Sequence, residues 1–303
     1  MKVLIISFLL ISTVRAQDVI SHAFVQPHFE IVRKILLAAL EETKKDYGPY
    51  ILKETPKYTQ AREVVLTADN KMLNLIWSMT SISREEKLQP VKIPLLMGLI
   101  GLRTLIIRKE DKVRFENIKT ITELKKIKLG QEKDWPDTEI LRSQGFNVFP
   151  FSSYNSSFDL LRIGRYDFYP RGVTEPYTEI HQYGLGELIV DQTHALFYHA
   201  PFFFFVSKKN KRLHKRLNDG MERLVSKGKI RELLLNDAIV RVSLLKSKIS
   251  SRKIHYINNP FFPDEELKKR KELWLDLENL DEILSKEPLK NQKLLENSFL
   301  KDI

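Results

Sequence analysis

The chain has 303 residues, 43% of them hydrophobic, with 50 lysines and arginines against 39 acids and no cysteine. The missing cysteines exclude disulfide staples, thiolate metal sites and cysteine nucleophiles, and the length is enough for two domains of ordinary size. A formal charge of +11 would suit nucleic acid, but no aromatic-basic RNA signature accompanies it.

Met1–Ala16 has Lys2 as a one-charge start, an apolar run from Val3 to Ile11 broken only by Ser7, and Val14-Arg15-Ala16 before Gln17. That pattern predicts a cleaved signal peptide and a soluble, periplasmic mature protein from Gln17 onward. The apolar run is too short to span a bilayer. Loss of Lys2 and Arg15 leaves a charge of about +9, and export removes nucleic acid as a partner. Much of the excess falls in Lys208–Arg216 and Lys227–Arg231, which read as solvated polar helix faces.

Glu30–Tyr47 keeps helical spacing through Ile31, Val32, Ile35, Leu36, Ala39 and Leu40, and Gly48-Pro49 ends it. Tyr50–Leu52 predicts a strand, Gln60–Ala68 a helix, Asn74–Trp77 a buried strand and Ser78–Ser83 a polar loop. Val91–Leu96 and Leu102–Arg108 predict strands around Gly98-Leu99-Ile100-Gly101, and Ile121–Leu124 a short helix. Lys128–Gly172 then reads strand, loop, helix, turn, strand, helix, strand. Asp137 and Thr138 offer oxygens where the helix Glu139–Arg142 begins, Phe146–Phe151 is a strand, Ser156/Ser157 open a helix, and Tyr166–Tyr169 is a strand. Short α/β units of this kind present loops and helix N-termini at one sheet edge, where small or anionic ligands bind. Glu187–Val190 and Phe202–Ser207 predict strands, and Lys211–Ser226 and Ile230–Leu235 helices. After Ala238 the character changes: Asn259-Pro260-Phe261-Phe262-Pro263 is a proline-bounded apolar clip, Leu275–Leu284 suggests helix, and the C-terminal end is expected to be disordered.

The block Leu75–Glu85 resembles the strand-loop-arginine element of type 2 periplasmic solute-binding proteins, the extracellular solute-binding family 3 group. Pro90–Leu95, Gly98–Arg103, Gly130-Gln131, Trp135–Thr138, Gly164–Asp167 and Tyr169–Gly172 continue the likeness in the same order. It covers about Ser21 to Asp237 and the Asn259–Pro263 clip, and is nearest to a poorly characterised transporter substrate-binding-like subgroup. The resemblance implies an α/β fold of two lobes joined by a hinge, here with a C-terminal helical extension. Lobe 1 is expected at 17–101 plus 193–237, lobe 2 at 102–192 and the extension at 238–303. Such lobes close over a small ligand and shift a pre-existing equilibrium by differential affinity.

In amino-acid-binding relatives the arginine at the place of Arg84 clamps a ligand carboxylate, a role that suits a planar guanidinium. Its alternative is a surface pair with Glu85 or Glu86. Trp77 is a candidate wall of the cleft or a core aromatic, and Thr80 a candidate hydroxyl donor or a turn cap. On the facing lobe Trp135, Asp137 and Thr138 stand at a helix start, where free N–H groups favour an anion and Asp137 can equally serve as N-cap. Arg171 stands where such relatives usually carry an aspartate for the ligand's ammonium group. Its charge argues against a simple α-amino acid and for an anionic or polyhydroxylated ligand between Arg84 and Arg171. Its alternative is a salt bridge with Glu175 or Glu179.

No HExxH, GxSxG, P-loop or GxGxxG motif is present, and the seven histidines show no tight ligand spacing. The expectation is therefore a monomeric exported binding protein without catalysis, cofactor or metal, serving a membrane permease or a membrane sensor. A dehydratase-like enzyme on the same fold is the rival, and it needs a titratable group in the cleft near Arg84.

Overall fold

The computed structural model describes residues 17–277 and 279–287. The expected signal peptide and the expected disordered end lie outside the described residues. Eleven strands follow in chain order: β1 (Asp18–His22), β2 (Tyr50–Glu54), β3 (Leu75–Met79), β4 (Leu88–Val91), β5 (Leu102–Arg108), β6 (Lys128–Glu132), β7 (Asn147–Phe151), β8 (Phe168–Gly172), β9 (Leu188–Phe197), β10 (Phe202–Ser207) and β11 (Lys253–Tyr256). They form two sheets, of order β2-β1-β3-β10-β4 and β11-β9-β5-β8-β6-β7. Among the described residues no helix is long and apolar enough to cross a membrane.

Apolar continuity decides which strands lie innermost. Every residue of β3 and of β10 is buried, and the two pair antiparallel from Phe202↔Met79 to Val206↔Leu75. A strand with helices on both faces has no side to give to water, so it reads as an unbroken apolar run. The helix Glu30–Glu42 buries the six apolar residues named from its spacing. It stops before the expected Tyr47 because the Thr43 hydroxyl turns back to donate to the carbonyls of Ala39 and Leu40. A separate turn, Lys44–Tyr47, then ends at Gly48 with φ 88°.

Other boundaries shift for local reasons. Ser78 and Met79 complete β3, and the expected polar loop contains the start of a helix, Ile82–Lys87, whose N-cap Ser81 accepts from the Arg84 N–H. The expected strand Val91–Leu96 leaves the regular ladder at Val91, where the Ile93 N–H turns back to the Val91 carbonyl at 2.7 Å and Pro94 has no N–H to give, and only the Leu95 N–H still reaches Phe202. The helix expected at Glu139 begins at Pro136, with Trp135 as N-cap and no side-chain cap, so Asp137 lies inside the first turn. A helix that the periodicity did not suggest, Pro176–Tyr183, follows β8.

Two adjacent crossovers join the sheets, one entering β5 after Gly101 and one leaving β9 after Phe197, and the chain passes over once more between β10 and β11. The first two touch: Tyr198 N–H donates to the Gly101 carbonyl over 3.2 Å. A Cβ at Gly101 would collide with the Tyr198 carbonyl oxygen, so glycine is required by the close approach of backbone to backbone. β9 belongs to the second sheet as far as Phe197, beyond the lobe boundary expected at 192/193. Within the extension, β11 adds parallel to β9 as an edge strand, from Lys253↔His194 to Tyr256↔Phe197.

Candidate functional site

A cavity of about 410 Å³ opens between the two sheets, within the size range of small-ligand sites. From the first sheet's side it is lined by Phe29, Lys57, Gln60, Glu63 and Trp77. From the second it is lined by Arg103, Glu132, Trp135, Tyr154, Arg171 and Glu175. Local structure explains the placing. Thr59 caps the helix Gln60–Asp69 by accepting from the Arg62 N–H, and Gln60 and Glu63, three apart, share the face that meets the cavity. Glu132 ends β6, and Trp135 follows it as the N-cap of the next helix. The sides touch at the rim, where the His28 ring lies 3.2 Å from the Thr178 hydroxyl and Arg84 Nη2 donates to the Asp134 carbonyl over 3.3 Å.

Beneath the second side runs a buried chain of alternating charges. Arg103 donates to Asp137 at 2.5 Å and lies 3.6 Å from Glu175. Arg171 reaches Glu175 at 2.8 Å and holds Glu179 through Nε and Nη2, the shortest contact being 2.6 Å. Tyr198 donates to Asp137, and Tyr154 donates to Glu179 at 2.6 Å. Glu175 also accepts from the Gly172 N–H at 2.6 Å. Burial would raise both carboxyls. It wins at Glu175, pushed up to about 7, whereas the Arg171 charge and hydrogen bonds hold Glu179 below its usual range. The Arg171 guanidinium lies 4.8 Å from the Trp135 ring centroid and 5.0 Å from that of Tyr169, a stacking that favours the cation.

Two carboxyls of the lining have no such partner. The side-chain carboxyls of Glu63 and Glu132 make no hydrogen bond or ion pair among the described residues. Burial raises Glu63 to about 8, and Glu132 adds to the rise while Arg84 and Lys57 oppose it. Burial likewise raises Glu132 to about 7, with Asp134 adding and Arg171, Lys57 and Arg84 opposing. Lys57, lowered by burial, rests 4.8 Å over the Tyr154 ring and has no ion pair among the described residues.

No protein-family model matches the chain, and no curated protein matches it. Solved structures do. A Salmonella typhimurium periplasmic binding protein of high arginine specificity aligns over 71% of this chain and 97% of its own, at 14% identity and TM-score 0.53. A structure from the work on glutathione import via GshT and the cystine ABC importer TcyBC of Streptococcus mutans covers 72% and 93%, at 15% identity and TM-score 0.51. A histidine kinase sensor domain with similarity to periplasmic binding proteins covers 72% and 93%, at 13% identity and TM-score 0.51. The fold is that of the type 2 periplasmic binding proteins.

Within this binding-protein fold the seven residues singled out from sequence separate into two groups. Trp77, Trp135, Asp137 and Arg171 line the cavity. Arg84, Thr80 and Thr138 lie behind it. Arg84 is buried, and burial lowers its guanidinium to about 10. It donates to the Met79 carbonyl at 2.7 Å and to Gln60 Oε1 at 2.7 Å, and it does not pair with Glu85 or Glu86. Thr80 donates to Glu85 at 2.6 Å, and Thr138 to the Glu132 carbonyl at 2.7 Å. Arg171 makes the ion pairs that were its alternative reading. Its charge is matched by Glu175 and Glu179, so the repulsion of an ammonium group, which argued against an amino acid, lapses. Lys57, Gln60, Glu63, Glu132 and Tyr154 were not singled out. The only available signal was the polar face of the helix that begins at Gln60, together with the strand end just after Gly130-Gln131.

One cluster has the compactness of a metal site among the described residues. His28, Glu175 and Glu179 are all buried, with ligand atoms within 4.8 Å of one another. Arg171 already donates to both carboxylates, and a divalent cation there would have to displace it. Burial lowers His28 to about 4, so at neutral pH it is a neutral ring and adds no charge to the rim.

Proposed function

We propose that this protein is an exported, non-catalytic solute-binding protein that holds a small polar ligand between its lobes, for delivery to a permease or presentation to a membrane sensor. The observation that carries the reading is the pair of unpartnered carboxyls, Glu63 and Glu132, facing one cavity from opposite sides. A ligand that engages both bridges the lobes, and bridging is how such a fold registers its ligand. Export rests on the pattern of Met1–Ala16.

The charge pattern shapes the ligand. The arginines of the anionic-ligand expectation, Arg84 and Arg171, are already engaged, and an anion between them would face Glu63 and Glu132. A cationic group satisfies the two carboxyls, and Lys57 beside them suits a carboxylate or hydroxyl on the same molecule. A small zwitterionic or cationic solute fits these groups best. Aromatic walls at Trp77, Trp135 and Tyr154 add apolar contact and cation–π attraction.

Native mass spectrometry of the protein from Gln17 onward, with melting curves in L-amino acids, putrescine and succinate, tests this. Probes with a cationic group are expected to raise the midpoint, and Glu63→Gln or Glu132→Gln to weaken them roughly tenfold or more. Stabilisation by succinate alone would return the reading to an anionic ligand. The rival enzyme reading draws on the same two carboxyls, whose raised values suit proton transfer. Turnover of a bound probe, abolished by Glu63→Gln, would favour it.

A further inference from the structure

The three solved structures named above are matched over 93–97% of their own length by 71–72% of this chain. The extension after Asp237 follows a specific path. Asp237 caps the helix Ala238–Ser247 through the N–H groups of Ile239 and Val240, and is itself held by Lys34 on the first lobe at 2.7 Å. The same helix lies against the second lobe, where Val242 packs on Tyr177 and the Ser243 hydroxyl faces the Thr174 carbonyl at 3.4 Å. Arg252 then donates to the Asp191 and His194 carbonyls, and β11 joins the second sheet with His255 3.1 Å from His194.

The chain next returns across both crossovers. Asn259 donates to the His199 carbonyl at 2.8 Å, and Phe262 enters the main core. Asp264 pairs with Lys92 at 3.1 Å, and Arg270 grips Glu222 on the first lobe through two bonds of 2.9 Å. Trp274 covers Gly98 and meets the His199 ring edge-on at 5.5 Å, while the Leu275 N–H bonds to the Met97 carbonyl at 2.9 Å. Helix Leu280–Lys286 closes the path, with Arg241 donating to the Leu284 carbonyl. None of these residues lines the cavity.

We infer that the extension is a strap that holds the two lobes at a set separation, so that ligand exchanges through the cleft mouth without wide opening. Two crossovers alone leave lobes free to rotate about them. Here two further stretches are anchored on both sides: the helix Ala238–Ser247, and the link from β11 to Asp264, which pairs with Lys92 on the first lobe. The link is short and contains Pro260, whose fixed φ removes slack. Rotation would have to stretch this link or strip β11 from β9. The inference concerns the ligand-free protein and holds whatever the ligand is.

The chain has no cysteine, so Ala61→Cys on the first lobe and Ser156→Cys on the second, both exposed, accept a single pair of spin labels in the full-length protein. Pulsed electron spin resonance without ligand is expected to show one narrow distance. Lys34→Ala with Lys92→Ala, which frees Asp237 and Asp264 from the first lobe, is expected to add a second, longer one. Should that variant melt at working temperature, a Gly-Ser-Gly insertion after Asn258 supplies slack while leaving each named contact partner in place, and it is expected to broaden the distribution. Two distances in the parent protein overturn the inference, as does a parent-like narrow distance in both the released and the slackened protein.

Discussion

Replacing Arg171 by Met separates the two roles that a cavity arginine can have. In the structure its guanidinium holds Glu179 through Nε and Nη2 and reaches Glu175, all three side chains being buried. Methionine fills most of the stem volume and removes the charge, and the orphaned Glu179 then escapes an unpaired buried charge by taking a proton. Protonating a group of ordinary pKa near 4.3 at pH 7.5 costs about 4 kcal/mol, at about 1.4 kcal/mol per unit. Glu175, already raised to about 7, adds little. The figure agrees with the ~3–5 kcal/mol seen when one partner of a buried pair is removed, and it converts to a midpoint drop of about 8–16 °C at ~2–4 °C per kcal/mol. At pH 5.5 the same protonation costs only about 1.6 kcal/mol, so the drop should shrink by more than half. In the variant the folded state binds a proton that the unfolded chain releases above pH 4.3, and its stability therefore falls as pH rises. Melting curves of parent and variant at both pH values test the reasoning. A drop smaller than ~2 °C, or one equal at the two pH values, would refute it and free Arg171 for the ligand after all.

Glu63→Gln should flatten the alkaline limb of the stability curve. Its carboxyl is raised to about 8, so the folded parent binds the extra proton between about pH 4.5 and 8 and loses stability as pH rises through that window; the variant should melt higher than the parent at pH 9 and no higher at pH 5, and parallel curves would count against it. Gly101→Ala drives a Cβ into the Tyr198 carbonyl oxygen at the crossovers and should cost about 1–3 kcal/mol or more, read as a lowered midpoint. An unchanged midpoint would show that the crossovers can part.

The sequence by itself determined the elements that local chemistry decides. The 3.6-residue spacing of Ile31 to Leu40, the unbroken apolar run Phe202–Val206 and the order of short α/β units name the helix, the buried strand and the α/β class, because each signal is complete within its own segment, whereas the two-lobe plan was only what the family resemblance implied. The candidate arginines were visible too, and so were Glu175 and Glu179 as alternatives for Arg171, since those partners lie four and eight residues along. What the sequence could not settle is which competing partner each charged group takes. Gln60 reaches Arg84 from another helix, Thr178 meets His28 from 150 residues away, and β11 finds β9 across the chain. Glu63 and Glu132 look like ordinary surface acids in their own segments. They become the unpartnered pair of a cavity only when two sheets face each other, because burial and the absence of a partner are properties of the packed whole.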